Sequence, residues 1–101
     1  MKKITLFSLL IATIVLAQKG TITGKVSDAA NGSPLIGANV VLEGTSQGAA
    51  TDGEGRYTIL QVDAGDYSVM VSYIGYQVLK EDAIVKYGET LLLNLELEPK
   101  V

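Results

Sequence analysis

The sequence predicts an all-β fold, a small antiparallel β-sandwich of about seven strands built by residues 18–101 and preceded by a signal peptide over residues 1–17. Three observations carry this reading. Beyond residue 17, apolar side chains recur at every second position in short runs, which is the period of a half-buried strand. Gly, Asn, Asp and Pro separate those runs at the spacing of a sandwich. No stretch of this part repeats with the helical period.

The elements follow in order. Lys2-Lys3 opens the chain, and residues 4–17 are apolar except for Thr5, Ser8 and Thr13. Val15 and Ala17 occupy the −3 and −1 positions that signal peptidase reads before Gln18. The apolar run is short of the about 20 residues that a membrane-spanning helix needs. The bland alternative is an anchor that is never cleaved. With no cysteine in the chain, a lipid-modified N-terminus is excluded. Residues 20–27 then read as a strand, with Ile22, Gly24 and Val26 facing inward and Thr21, Thr23 and Lys25 outward. Asn31-Gly32, a strong turn dipeptide, and Pro34 lead to a strand at 38–44 with Ala38, Val40 and Leu42 inward. Residues 47–51 form a short edge strand. Residues 56–62 place Tyr57 and Ile59 on one face.

Gly65-Asp66 is expected to turn the chain into its longest alternation, residues 67–74. There Tyr67, Val69, Val71 and Tyr73 oppose Ser68, Met70 and Ser72. Gly75 breaks the run as a bulge or bend, and residues 76–80 continue as another strand. Residues 90–97 close the domain with Leu91, Leu93, Leu95 and Leu97 on one side. Short turns at 52–55 and 64–65 fit antiparallel pairing. The expected core is Val40, Leu42, Ile59, Val69, Val71, Leu93 and Leu95. Pro99 cannot extend a central strand and marks the domain edge.

Charge narrows the function. The 101-residue chain carries a formal −3; without Lys2 and Lys3, six basic side chains face eleven acidic ones, a balance of −5. No basic stripe exists to neutralise nucleic-acid phosphates. An exported chain without cysteine fits a bacterial β-domain, not a disulfide-stapled one.

The stretch GTSQGAATDGEGRYTI, residues 44–59, invites a reading as a binding loop. A phosphate cradle needs a Lys after its last glycine, and none is there. A dinucleotide fingerprint needs a third glycine and a helix. An EF-hand would use Asp52, Glu54 and Asp63, yet Arg56 and Tyr57 stand where a ligand and a glycine belong. The loop therefore reads as a turn, with glycine supplying positive φ and Asp52 bonding backbone N–H groups two or three residues on.

Catalysis has little to draw on. The chain has no His and no Cys, which removes the usual general base, the usual metal ligand and the thiol nucleophile. Ser27, Ser33, Ser46, Ser68 and Ser72 have no activating partner by pattern, and Glu43, Asp63 and Asp66 share an end only by chance. No catalytic, cofactor-binding or metal-binding residue is expected. Tyr57, Tyr67 and Tyr73 fit core positions whose phenols reach loops. Tyr76 and Tyr87, near bends, are the candidates for an exposed binding surface, with glycan as the ligand class. Free strand edges suggest β-augmentation by another envelope segment, and Lys25 and Lys80 are the candidate edge charges that would discourage it.

Five motifs in order make a resemblance specific: G-x-I-x-G-x-V at 20–26, P-L-x-G-A-x-V at 34–40, G-T-x-x-G at 44–48, T-D-x-x-G-x-Y at 51–57 and G-x-Y-x-V-x-V-S-Y-I-G-Y at 65–76. Together they resemble the carboxypeptidase-regulatory-like domain, a transthyretin-like, Ig-like β-sandwich. After a signal peptide, such a domain is similar to the N-terminal extension of TonB-dependent outer-membrane receptors, especially SusC-like glycan importers. The resemblance implies a non-catalytic module in the periplasm or outer membrane of a Gram-negative bacterium. It would act in nutrient uptake through periplasmic or outer-membrane protein partners. Membrane contact would come only through the signal peptide or a barrel encoded downstream, so the reading frame is expected to continue past Val101 or to come from a truncated receptor gene. The alternatives are a free secreted or surface carbohydrate-binding module, or an accessory domain of a secreted hydrolase. The zinc ligands of the metallocarboxypeptidases belong to another domain and do not transfer.

Overall fold

The computed structural model describes residues 18–101, and the signal peptide expected over residues 1–17 lies outside the described residues. Among the described residues eight strands form: β1 Gly20–Asp28, β2 Asn39–Leu42, β3 Gly48–Ala50, β4 Arg56–Val62, β5 Gly65–Ser72, β6 Leu79–Val85, β7 Thr90–Leu92 and β8 Leu95–Leu97. One sheet has β1 at its centre, with β4 on one side and β7 and β8 on the other; the second runs β3-β2-β5-β6. The inward alternation predicted for β1, β2 and β5 is observed. Ile22, Val26, Val40, Leu42, Val69 and Val71 are fully buried between the sheets. A one-residue slip in any of these strands would turn that set to water.

Several expectations are corrected. Pairing is not wholly antiparallel, because β7 and β8 both run parallel to β1. The turn at 52–55 joins β3 to β4 and residues 63–64 join β4 to β5, so both carry the chain from one sheet to the other and neither closes a hairpin. β5 already begins at Gly65, so the expected Gly65-Asp66 turn lies two residues earlier. The strand expected at 76–80 instead spans Leu79–Val85. Its buried residues Ala83 and Val85 follow Lys80-Glu81-Asp82, charges that hide the alternation. They are tolerated because β6 is a sheet edge. Lys80 does sit on that edge, whereas Lys25 lies on the central strand β1.

The strand predicted at 90–97 is interrupted. Thr21 pairs with Thr90 and Val26 with Leu95, the same offset on both sides of the break. Register is therefore kept while the Leu93 carbonyl and Asn94 leave the ladder. Lys25 N–H donates to the Asn94 side-chain Oδ1 (3.0 Å), and the Leu93 N–H donates to Thr23 O (2.8 Å). Leu93, expected in the core, is consequently only half-buried, while Leu95 and Leu97 are buried.

β4 holds a second irregularity. Ile59 and Val62 are both buried although three residues apart. Gln61, with φ 57°, and a register shift between Gly20 and Ile22 supply the extra residue of a bulge. Past β8, Pro99 still bridges to Tyr76. Gln77 N–H donates to Glu98 O (2.8 Å) and Lys100 N–H to Gly75 O (2.9 Å). In this pairing the Pro99 nitrogen owes no bond, so the chain stays attached beyond its proline.

The packing gives a simple contrast. Val71→Ala empties a fully buried site between the sheets and should cost about 2 kcal/mol, whereas Glu54→Ala alters a solvated turn and should stay within about 0.5 kcal/mol. Urea midpoints of the two variants check the order.

Candidate functional site

The glycine-rich loop is a structural corner. Asp52 Oδ1 accepts from the N–H groups of Glu54 and Arg56, both at 2.9 Å, which holds its carboxyl below the ordinary carboxylate range. Gly55 takes φ 78°, and a Cβ there would lie 2.9 Å from both the Pro34 side chain and the Val26 carbonyl oxygen. Thr51 is buried. Its hydroxyl donates to Leu35 O (2.5 Å) and accepts from Ala38 N–H (2.8 Å). Tyr57 crosses the core and donates to Leu93 O (2.6 Å), with burial pushing its phenol up to about 12. Three positions of the T-D-x-x-G-x-Y motif, Thr51, Gly55 and Tyr57, thus join it to β1, to the motif at 34–40 and to the β7–β8 break, while Asp52 closes the turn between them.

The acidic residues have separate partners. Lys80 Nζ lies 3.3 Å from Glu43 Oε2; the Ser68 hydroxyl first, and Lys80 next, hold the Glu43 carboxyl low. Asp63 pairs with Lys19 at 3.1 Å. Asp66 faces Ile84 across the β5–β6 ladder. Among the described residues no three acidic side chains gather as a cation site would require.

The two tyrosines singled out for binding stand at opposite ends of β6. Tyr87 is 67% exposed in the turn after it. Tyr76, before it, is half-buried, and its ring lies 5.6 Å from that of Tyr73. The Tyr76 hydroxyl donates to Asp28 Oδ2 at 2.5 Å. Asp28 Oδ1 accepts from Ala30 N–H (2.6 Å) and Asn31 N–H (3.2 Å). The expectation of an exposed Tyr76 is thereby corrected, because its polar end is committed to the end of β1. The two do not form one platform. Beside Tyr73 and Tyr76, Ile74 (94% exposed), Val78 and Lys100 line an open groove of about 420 Å³.

Sequence reasoning missed Asp28 and Asn94. Asp28-Ala29-Ala30-Asn31 carries the usual signal of an Asp-initiated turn, but its second carboxylate oxygen serves a residue far along the chain.

The Tyr76 bond has a pH signature. It is the main cause that lowers the Asp28 carboxyl, against the opposing effect of burial. A folded pKa below the unfolded one stabilises fully above about pH 4 and is lost as pH falls through the folded value. Tyr76 is shifted the other way, first by Asp28, so its contribution holds below about pH 10 and fades above it. Tyr76→Phe should therefore lower the melting midpoint at pH 7 and lose much of that deficit at pH 3. An equal deficit at both would contradict the coupling.

Fold and site together define a transthyretin-like β-sandwich module whose motif residues secure its corners. The chain belongs to the CarboxypepD_reg-like domain family, whose profile matches residues 22–101. It is 48% identical over 61 residues to the TonB-dependent receptor SusC of Bacteroides thetaiotaomicron, covering 60% of this chain and 6% of that protein. It is 33% identical over 99 residues to the TonB-dependent transporter Oar of Myxococcus xanthus, covering 91% of this chain and 9% of the transporter. The chain thus spans under a tenth of the length of these relatives. Among solved structures, a putative carbohydrate binding protein from Bacteroides uniformis matches with TM-score 0.61 at 20% identity, covering 79% of this chain and 41% of that one. The Caf1A usher C-terminal domain matches with TM-score 0.55 at 12% identity, covering 81% of this chain and all of that one. These two likenesses concern the fold alone.

Proposed function

We propose that this domain is the periplasmic N-terminal extension of a TonB-dependent outer-membrane receptor, non-catalytic, serving nutrient uptake through contacts with envelope proteins. The observation that carries the reading is the correspondence of 91% of this chain with 9% of a TonB-dependent transporter. One small module is shared, and the remainder of such a protein would do the transport. The lack of His and Cys and the separate ion pairs of Glu43 and Asp63 support a binding or connecting role over a chemical one. Export would proceed by cleavage after Ala17. Intact mass of envelope material should show Gln18 as the first residue; a stable species that keeps Met1 in an export-competent host would count against it.

Reading the gene beyond codon 101 tests the receptor assignment. A frame that continues into alternating strands of about 10 residues supports it. A stop codon there, in a complete gene with its own promoter, overturns it in favour of a free module.

A further inference from the structure

We infer that the domain resists tension applied between its two ends, with β1 sheared against β7 and β8. The inference concerns strand topology and does not depend on the receptor reading. β1 is the first strand of the sandwich, and β7 and β8 are the last. They run parallel, with Thr21 beside Thr90 and Asp28 beside Leu97. The chain therefore joins the sandwich at the Gly20 end and leaves it at the Leu97 end, roughly 25–30 Å away along a nine-residue strand. A pull on Lys19 and Glu98 in opposite directions lies along these strands. The hydrogen bonds between them lie across the pull, so they share the load and must fail together. A hairpin pulled open at its ends meets the load one bond at a time.

The bonds span the full length of β1. Thr21 N–H donates to Glu89 O (3.0 Å), Leu93 N–H to Thr23 O (2.8 Å) and Ala29 N–H to Leu97 O (2.9 Å). At the break between β7 and β8, where a ladder would be weakest, Lys25 N–H donates to the Asn94 side chain (3.0 Å). Tyr57, from β4 on the far side of β1, donates to Leu93 O (2.6 Å) and pins the same point. Beyond Leu97 the chain also grips the second sheet, through Gln77 N–H to Glu98 O and Lys100 N–H to Gly75 O. The exit is tied to both layers. Forced unfolding follows the height of the unfolding barrier, not equilibrium stability, and a concerted rupture sets a high one.

Single-molecule pulling on the full chain tests this. The chain has no cysteine, so introduced thiols place handles without ambiguity. One protein carries Lys19→Cys and Lys100→Cys and is pulled end to end. A second carries Asp66→Cys and Lys86→Cys, both exposed, and is pulled so as to peel β6 from β5. At equal pulling rate, the end-to-end unfolding force should be at least about twofold higher. Asn94→Ala should lower the end-to-end force and leave the peeling force unchanged. Equal forces in the two geometries overturn the inference. So does an end-to-end force that Asn94→Ala, still folded by circular dichroism, leaves untouched. Should that variant fail to fold, the comparison of geometries decides alone.

Discussion

Gly24→Ala is expected to unfold at a much lower urea concentration than the native chain. Gly24 lies at the centre of β1, buried, and its backbone does not require positive φ. What it lacks is room. A Cβ at this position would collide with the Leu93 carbonyl oxygen, come within 2.6 Å of the Leu93 carbonyl carbon and within 3.2 Å of the Tyr57 ring. Those are backbone atoms held from two sides, by Thr23 O on the Leu93 N–H and by the Tyr57 hydroxyl on the Leu93 carbonyl. They cannot swing aside as a flexible side chain would. Displacing them breaks the Tyr57 bond and disturbs the β7–β8 register together. Overpacking of this kind costs about 3 kcal/mol, with the rigid neighbour pushing it upward. A domain of this size has a total stability of about 4–12 kcal/mol, so the loss is a large share. A midpoint indistinguishable from that of the native chain would mean that the β7–β8 link moves freely.

Thr51→Val should be the most damaging of the exchanges that leave volume almost constant. The hydroxyl is buried and satisfies Leu35 O and Ala38 N–H at once. Valine keeps the shape and leaves both partners unbonded. Each buried group without its partner costs about 1–3 kcal/mol, so the pair should lose about 2–6 kcal/mol. Thr51→Ser keeps both bonds and gives up one methyl, at about 1 kcal/mol. The expected order of urea midpoints is native, then Ser, then Val. If serine were as damaging as valine, the methyl would matter and the bonds would not.

The sequence by itself determined the β-sandwich class and the inward faces of β1, β2 and β5, because a period of two needs only neighbours along the chain to be visible. It likewise determined the Asn31-Gly32 turn and the Asp52 turn, whose bonds close within a few residues. Tertiary structure decided the rest. The parallel pairing of β1 with β7 and β8 joins residues far apart in sequence, and alternation is blind to partner and direction. β6 stayed hidden because a charged edge strand need bury only half its length. Leu93 looked like a core leucine by spacing. It lost that place because Gly24 lets its carbonyl approach and Asn94 supplies a side-chain acceptor in place of the backbone. Tyr76 looked free beside Gly75, but its hydroxyl is claimed by Asp28 from another strand. For the parallel pairing, Leu93 and Tyr76 the deciding contact is a long-range bond or close approach, whose two halves carry no signal until the sheets are stacked.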